Sequence, residues 1–159
     1  MADARFEDGD EQPLRLRAEA AEDLPVVSAL VQDAVFTGAD MGFSRKGRRF
    51  DILLNRFRWE DRAAATRDNR PFERVRSVLS VMDVVSVASQ GVGKDDRDSV
   101  LSLLALEFHP GADGTGVLTL VLAGDGALRL TVECVNLTLT DVTRPYRAPS
   151  GKAPQHPEG

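Results

Sequence analysis

The stretch Val132-Glu133-Cys134-Val135-Asn136-Leu137-Thr138-Leu139-Thr140-Asp141-Val142, VECVNLTLTDV, carries two periods at once. Val132, Val135, Leu139 and Val142 fall three, four and three residues apart, the spacing of one helical face. Val135, Leu137 and Leu139 also alternate, which fits a strand continuing from Val132 through a bulge. The choice decides the fold: the chain closes either with a helix over the end of a sheet or with one more strand inside it. The helical reading is adopted, with the strand as its alternative.

Upstream, the period is mostly two. Ala127 to Val132 and Val117 to Leu122 alternate and are joined through Gly124-Asp125-Gly126, a tight-turn signal. Leu104, Leu106 and Phe108 form a strand closed by His109-Pro110-Gly111, and Gln90 to Asp98 is a loop. Val75 to Val81 is another strand, with Val85 and Val87 forming the next beyond Asp83. Val35 to Phe43 and Phe50 to Leu54 alternate on either side of a short Gly47-containing loop, the pattern of a β-hairpin. Asp61 to Arg70 is polar and is expected to be a linker. Before these lies a helix at about 22–34, where Leu24, Val27, Leu30, Val31 and Ala34 share a face and Glu22, Asp23 and Pro25 suit its start. A short strand over Leu14 to Ala18 alternates with Arg15 and Arg17.

The expected fold class is therefore mainly β (α+β): seven antiparallel strands between an N-terminal and a C-terminal helix. That element order matches a pleckstrin-homology-like barrel or sandwich. The expected organisation is a disordered acidic N-terminus over 1–13, one globular domain over 14–143, and a Pro/Gly-rich disordered tail over 144–159.

Charge is unevenly spread over the 159 residues. The net value is −5, yet Asp40 to Arg76 holds eleven Arg/Lys against six Asp/Glu. An acidic body with one basic segment fits an acidic protein partner better than nucleic acid. The candidate residues are Arg45, Lys46, Arg48 and Arg49 in the hairpin loop, then Arg56 and Arg58 with Trp59. On a strand, Arg56 and Arg58 share a face opposite Phe57 and Trp59. With the aromatics in the core, the arginines would form an outer positive strip, with Trp59 at the strand's end as an anchor. Exposed strand edges leave self-association open.

Signals for catalysis are sparse, and the chain is read as a non-catalytic binding or adaptor module. His109 and His156 are the only histidines. Cys134, the single cysteine, reads as a small core hydrophobe. The alternative is a small enzyme or ligand-binding protein with a pocket in or at the mouth of the barrel, using His109 and Cys134. Asp95, Asp96 and Asp98 lack the remaining ligands of a calcium loop. Gly91 to Lys94 and Gly111 to Gly116 lack Walker spacing. No cofactor or metal is expected. The absence of an apolar leader or a long apolar span points to the cytoplasm.

Four segments carry a family resemblance: RRFDILLNRFRWE (Arg48 to Glu60), LLALEF (Leu103 to Phe108), LTVEC (Leu130 to Cys134) and AEDLPVVSALVQDAV (Ala21 to Val35). Together they resemble a family of short bacterial proteins, mainly alphaproteobacterial, known as a domain of unknown function. The resemblance covers Leu14 to Asp141. It implies a compact domain and carries over no activity, cofactor or catalytic residue.

Overall fold

The computed structural model describes residues 12–92, 97–149 and 152–154. Its strands are β1 (Arg15–Ala18), β2 (Ala34–Thr37), β3 (Met41–Ser44), β4 (Arg49–Phe57), β5 (Glu73–Met82), β6 (Val84–Gln90), β7 (Val100–Pro110), β8 (Gly116–Leu122), β9 (Ala127–Val132), β10 (Leu137–Asp141) and β11 (Tyr146–Arg147). Two short α-helices occur among the described residues, α1 (Leu24–Val31) and α2 (Arg62–Arg67).

The opening ambiguity resolves to the strand. Leu137, Leu139 and Asp141 are buried and alternate with half-buried Thr138 and Thr140, in antiparallel register with both β5 and β1. β-branched threonines at every second position suit a pleated surface, and a helix would have broken that alternation. The expected C-terminal helix is therefore absent. Val132 closes β9, whereas Val142 is about half exposed, so the apparent three-four-three face spans residues from unrelated surroundings.

All described pairings are antiparallel and run in the order β1-β10-β5-β4-β2-β7-β8-β9-β6, with β11 added to β5 and β3 to β4. The mainly β reading holds, but among the described residues the sheet has eleven strands rather than seven, and its path is open instead of closed into a barrel. Asp83, with a left-handed φ of 60°, separates β5 from β6. β6 then pairs with β9 and forms one end of the path, while β1 forms the other.

The inward faces of the strands make one apolar core. It includes Phe50, Ile52 and Leu54 of β4, Leu79 and Val81 of β5, Leu118 and Leu120 of β8, Leu128 and Leu130 of β9, and Leu137 and Leu139 of β10. α1 falls inside the expected helical span and starts with Pro25 in its first turn. It buries Leu24, Val27 and Val31 in this core.

Two further segments depart from expectation. Asp61 to Arg70 is not a plain linker: a 3₁₀ turn at Trp59–Asp61 leads into α2, which buries Ala65. Sheet pairing also runs past the expected boundary at 143, because Tyr146 and Arg147 pair with Arg74 and Glu73.

Candidate binding surface

The basic loop is a hairpin turn. The Gly47 N–H donates to Ser44 Oγ at 3.0 Å, and Arg48 adopts φ 55° and donates its N–H to the Arg45 carbonyl. Arg45 and Lys46 are exposed, with no ion-pair partner among the described residues. Arg48 pairs with Glu133, which raises its pKa, first through the hydrogen bond and then through the charge. Arg49 donates to Asp51 at 2.8 Å and to Ser80 Oγ. Two of the four loop cations are thus already neutralised.

Arg56 and Arg58 do not form an outer strip. Arg56 is 0% exposed and Arg58 is 7% exposed. The inward alternation of Phe50, Ile52 and Leu54 on β4 continues to position 56, so strand parity itself sends Arg56 inside. There its Nη1 and Nη2 grip the Glu60 carboxylate at 2.8 Å each. Nη2 also donates to Asp141 Oδ1 at 3.0 Å, and Nε donates to Ser77 Oγ at 3.0 Å. Asp141 accepts further bonds from Ser77 Oγ at 2.6 Å and from the Leu14 N–H at 3.0 Å. One buried guanidinium therefore ties β4 to β5, β10 and the chain entering β1. Burial alone would lower the Arg56 pKa, but Glu60 and Asp141 together raise it. Burial likewise pushes Glu60 up, and the bonds and charge of Arg56, with Arg58, hold it below the usual carboxylate range.

Arg58 continues the network. It donates to Glu73 and lies 3.7 Å from Asp61, which accepts from both Nη atoms of Arg70 at 3.1 and 3.2 Å. Trp59 is half-buried. Its Nε1–H donates to the Gln32 carbonyl at 2.9 Å, its ring meets Phe57 edge-on at 4.7 Å, and Arg62 stacks over it at 5.7 Å. It pins the end of α1 to the start of α2.

The face that remains charged lies elsewhere. On the outward side of β1, β10, β5 and β4 stand Arg15 and Arg17, Thr138 and Thr140, Arg74, Arg76 and Val78, and Arg49, Asp51, Leu53 and Asn55. Five arginines thus oppose one aspartate on four adjacent strands. Arg17 pairs with Glu19 and Arg49 with Asp51, whereas the exposed side chains of Arg15 and Arg76 have no partner among the described residues. Arg74 donates to the Asn55 side chain at 2.6 Å and to its carbonyl at 2.9 Å, and Asn55 Nδ2 donates to Tyr146 Oη. Burial lowers the Arg74 pKa, opposed by Tyr146 and Asp33. At the rim, β2 meets β4 at one register pair, Val35 with Asn55, leaving a depression of about 200 Å³. Val35, Asp40, Leu53, Asn55, Arg76 and Val100 are among the residues that line it, and Val100 is 69% exposed. Sequence reading missed Arg74 and Arg76, although they alternate with Val75 and Ser77 and so mark an outer strand face.

A larger cleft of about 720 Å³ lies where the chain enters β1, lined by Gln12, Pro13, Glu73, Asp141, Thr143 and Arg144 among others. Both carboxylates in it are held by arginines, so neither offers a free general acid or base. His109 is exposed on β7, 3.9 Å from Glu107. Cys134 is exposed, not in the core, and its Sγ–H donates to Asp83 Oδ2 at 3.3 Å. Burial and then Asp83 push this thiol up, away from nucleophilic character. No hydrogen bond or ion pair joins His109 to Cys134. Among the described residues no cluster of His, Cys, Asp and Glu could hold a metal ion, and no helix is long and apolar enough to cross a membrane. Gly93 to Asp96 and His156 lie outside the described residues.

The profile of a family described as a protein of unknown function (DUF2948) matches residues 14–156. No curated protein and no solved structure matches the chain.

Proposed function

Because the chain belongs to the DUF2948 family, whose function is unknown, it inherits no activity from that membership. We propose that it is a non-catalytic binding module that docks an acidic protein surface on the outward face of β1, β10, β5 and β4. The carrying observation is the five-to-one excess of arginine on that face, with Arg15 and Arg76 unpaired among the described residues, while the buried charges of Arg56 and Arg58 are neutralised from within. Arg45 and Lys46 extend the face from the turn that precedes Arg49, and Arg48 is occupied by Glu133. The depression at Val35, Leu53 and Val100 supplies an apolar anchor point beside the charges.

The test uses the full chain and the variant Arg15→Glu/Arg17→Glu/Arg76→Glu. Each is titrated with labelled poly-L-glutamate, and with a single-stranded oligonucleotide of matched charge, at low and at roughly physiological salt. The wild type is expected to bind polyglutamate at low salt about tenfold or more tightly than the variant, with affinity falling as salt rises. Equal affinities for the two proteins would remove the proposal. Tighter binding of the oligonucleotide would transfer the face to nucleic acid.

A further inference from the structure

The two ends of the sheet path are built differently. A free strand edge carries unpaired N–H and C=O groups that template a further strand, and native sheets blunt it with short strands, charges or proline. β1 has such protection: it is four residues long and carries Arg15 and Arg17. β6 at the other end has none, being seven residues long and reading VVSVASQ, without a charge or a proline. β3 and β11, which also pair on one side among the described residues, have four and two residues.

The free side of β6 is open over most of its length. Beyond β9, Val84 gives its N–H to the Arg48 carbonyl, and among the described residues 85–90 make no other backbone hydrogen bond. Val85 falls at a register shift against β9 and is 48% exposed, so the regular part of the edge is residues 86–90. There Ser86, Ala88, Ser89 and Gln90 are exposed, and Val87 is only half-buried although it packs against the core.

The occupant that fits this edge is the same strand of a second copy. Antiparallel pairing centred on Ala88 sets Ser86 opposite Gln90 of the second copy, Val87 opposite its Ser89, and Ala88 opposite its counterpart on a two-fold axis. Opposite residues in such a pair stand about 4.5–5.5 Å apart, and alanine is small enough to sit on the axis. No charge meets its like. Arg129, the β9 cation opposite Ala88, donates to Gln90 Oε1 at 2.9 Å. Its counterpart lies three strand spacings away, about 14 Å, beyond the screening length of about 8 Å at physiological salt. Pairing β6 with β1 of another copy would instead lay two arginines against a strand without a carboxylate, in a head-to-tail contact that does not close.

We propose that β6 is a self-recognition edge, at which two copies pair antiparallel about Ala88 and join their sheets into one. The contact uses no residue of the basic face and stands independently of the acidic-partner reading. Five paired residues per copy place it among small, weak interfaces, under about 1,200 Å² in total. Association is therefore expected near about 100 µM.

The first test is sedimentation equilibrium of the full chain from about 10 µM to about 1 mM. The wild type is expected to rise from the monomer mass towards twice that mass and no further. Ala88→Lys changes an exposed side chain and sets like charges across the axis, so it should need about tenfold or more higher concentration to associate. Ala88→Glu should behave alike, and an equimolar mixture of the two variants should regain at least the wild-type association. A wild type that stays monomeric, a mass that climbs past the dimer, an Ala88→Lys variant that associates like wild type, or a mixture without recovery each overturns the proposal. The second test is disulfide capture of Ala88→Cys in a Cys134→Ser background, since the spacing of opposite residues falls within the disulfide range of about 4.4–6.8 Å between Cα atoms. Under mild oxidation it should link two copies about tenfold faster than Val26→Cys in the same background, a position 60% exposed on α1. Equal rates overturn the pairing.

Discussion

Replacing Arg56 by Met keeps much of the side-chain volume and removes its donors. Asp141, with a side chain 4% exposed, then keeps the Ser77 hydroxyl and the Leu14 N–H but loses its only counter-charge among the described residues. Glu60 loses two bonds of 2.8 Å, though its partial exposure lets water replace part of that interaction. Stranding a buried charge by removing its partner costs about 3–5 kcal/mol, and Asp141 should dominate that figure. Against a total stability of about 5–15 kcal/mol, the loss is a large fraction. With a urea slope of about 1–3 kcal/mol per molar, the midpoint should fall by roughly 2 M. Trp59 is the only tryptophan, and its fluorescence reports the transition beside the network. The double variant Arg56→Met/Asp141→Asn should recover part of the loss, because the stranded group is then neutral. A single-variant loss below about 1 kcal/mol, or no recovery in the double, would refute the claim that Asp141 depends on Arg56. The same argument rules out Arg56→Glu or Arg58→Glu as a probe of binding, since either change puts a carboxylate into the interior.

Glu60 is held below the usual carboxylate range, so its contribution is present at neutral pH and is lost as pH falls through that lowered folded value. The stability difference between neutral pH and about pH 3.5 should therefore be smaller in Arg56→Met than in wild type, as measured by denaturant titration at both. A Cβ at Gly116 would stand 2.5 Å from Phe108 Cζ and 2.6 Å from the His109 carbonyl. Gly116→Ala should cost about 1–3 kcal/mol in thermal or urea unfolding, because the backbone contact cannot rotate away. Asp83→Asn should speed alkylation of Cys134 at fixed pH, since it removes the charge that, after burial, holds the thiol up. Trp59→Phe should lose about 1–2 kcal/mol by leaving the Gln32 carbonyl without the indole donor.

Much of the sheet was legible because its strands bury one face. Phe50, Ile52 and Leu54, or Leu128, Leu130 and Val132, alternate cleanly, and Asp125 at φ 66° with Gly124 at φ 79° occupy the turn that their sequence advertises. The misreadings came where polar residues occupy inward positions. Arg56 shares the parity of Leu54, but its charge argued for the surface, and its partner Asp141 lies 85 residues away in the one stretch whose period was ambiguous. Hydrophobicity cannot identify an inward arginine until its carboxylate is located, and spacing along one segment cannot locate it. The basic face was hidden for a related reason. Arg15 and Arg76 become neighbours only through β10, which joins the first strand of the chain to one from its middle. The aromatics misled in the opposite sense: Trp59 was assigned to a strand, yet it begins a 3₁₀ turn where strand alternation no longer applies.

The position of β10 between β1 and β5 also bears on synthesis. A ribosome completes Arg15–Ala18 more than a hundred residues before the strand that will hold it, and Arg56 well before the aspartate that neutralises it. Pairings over such sequence distances form slowly. Protease resistance of ribosome-bound chains is expected to rise only once Asp141 has left the exit tunnel. A nascent chain halted at Asn136 would present β1 and β5 as two unsatisfied edges.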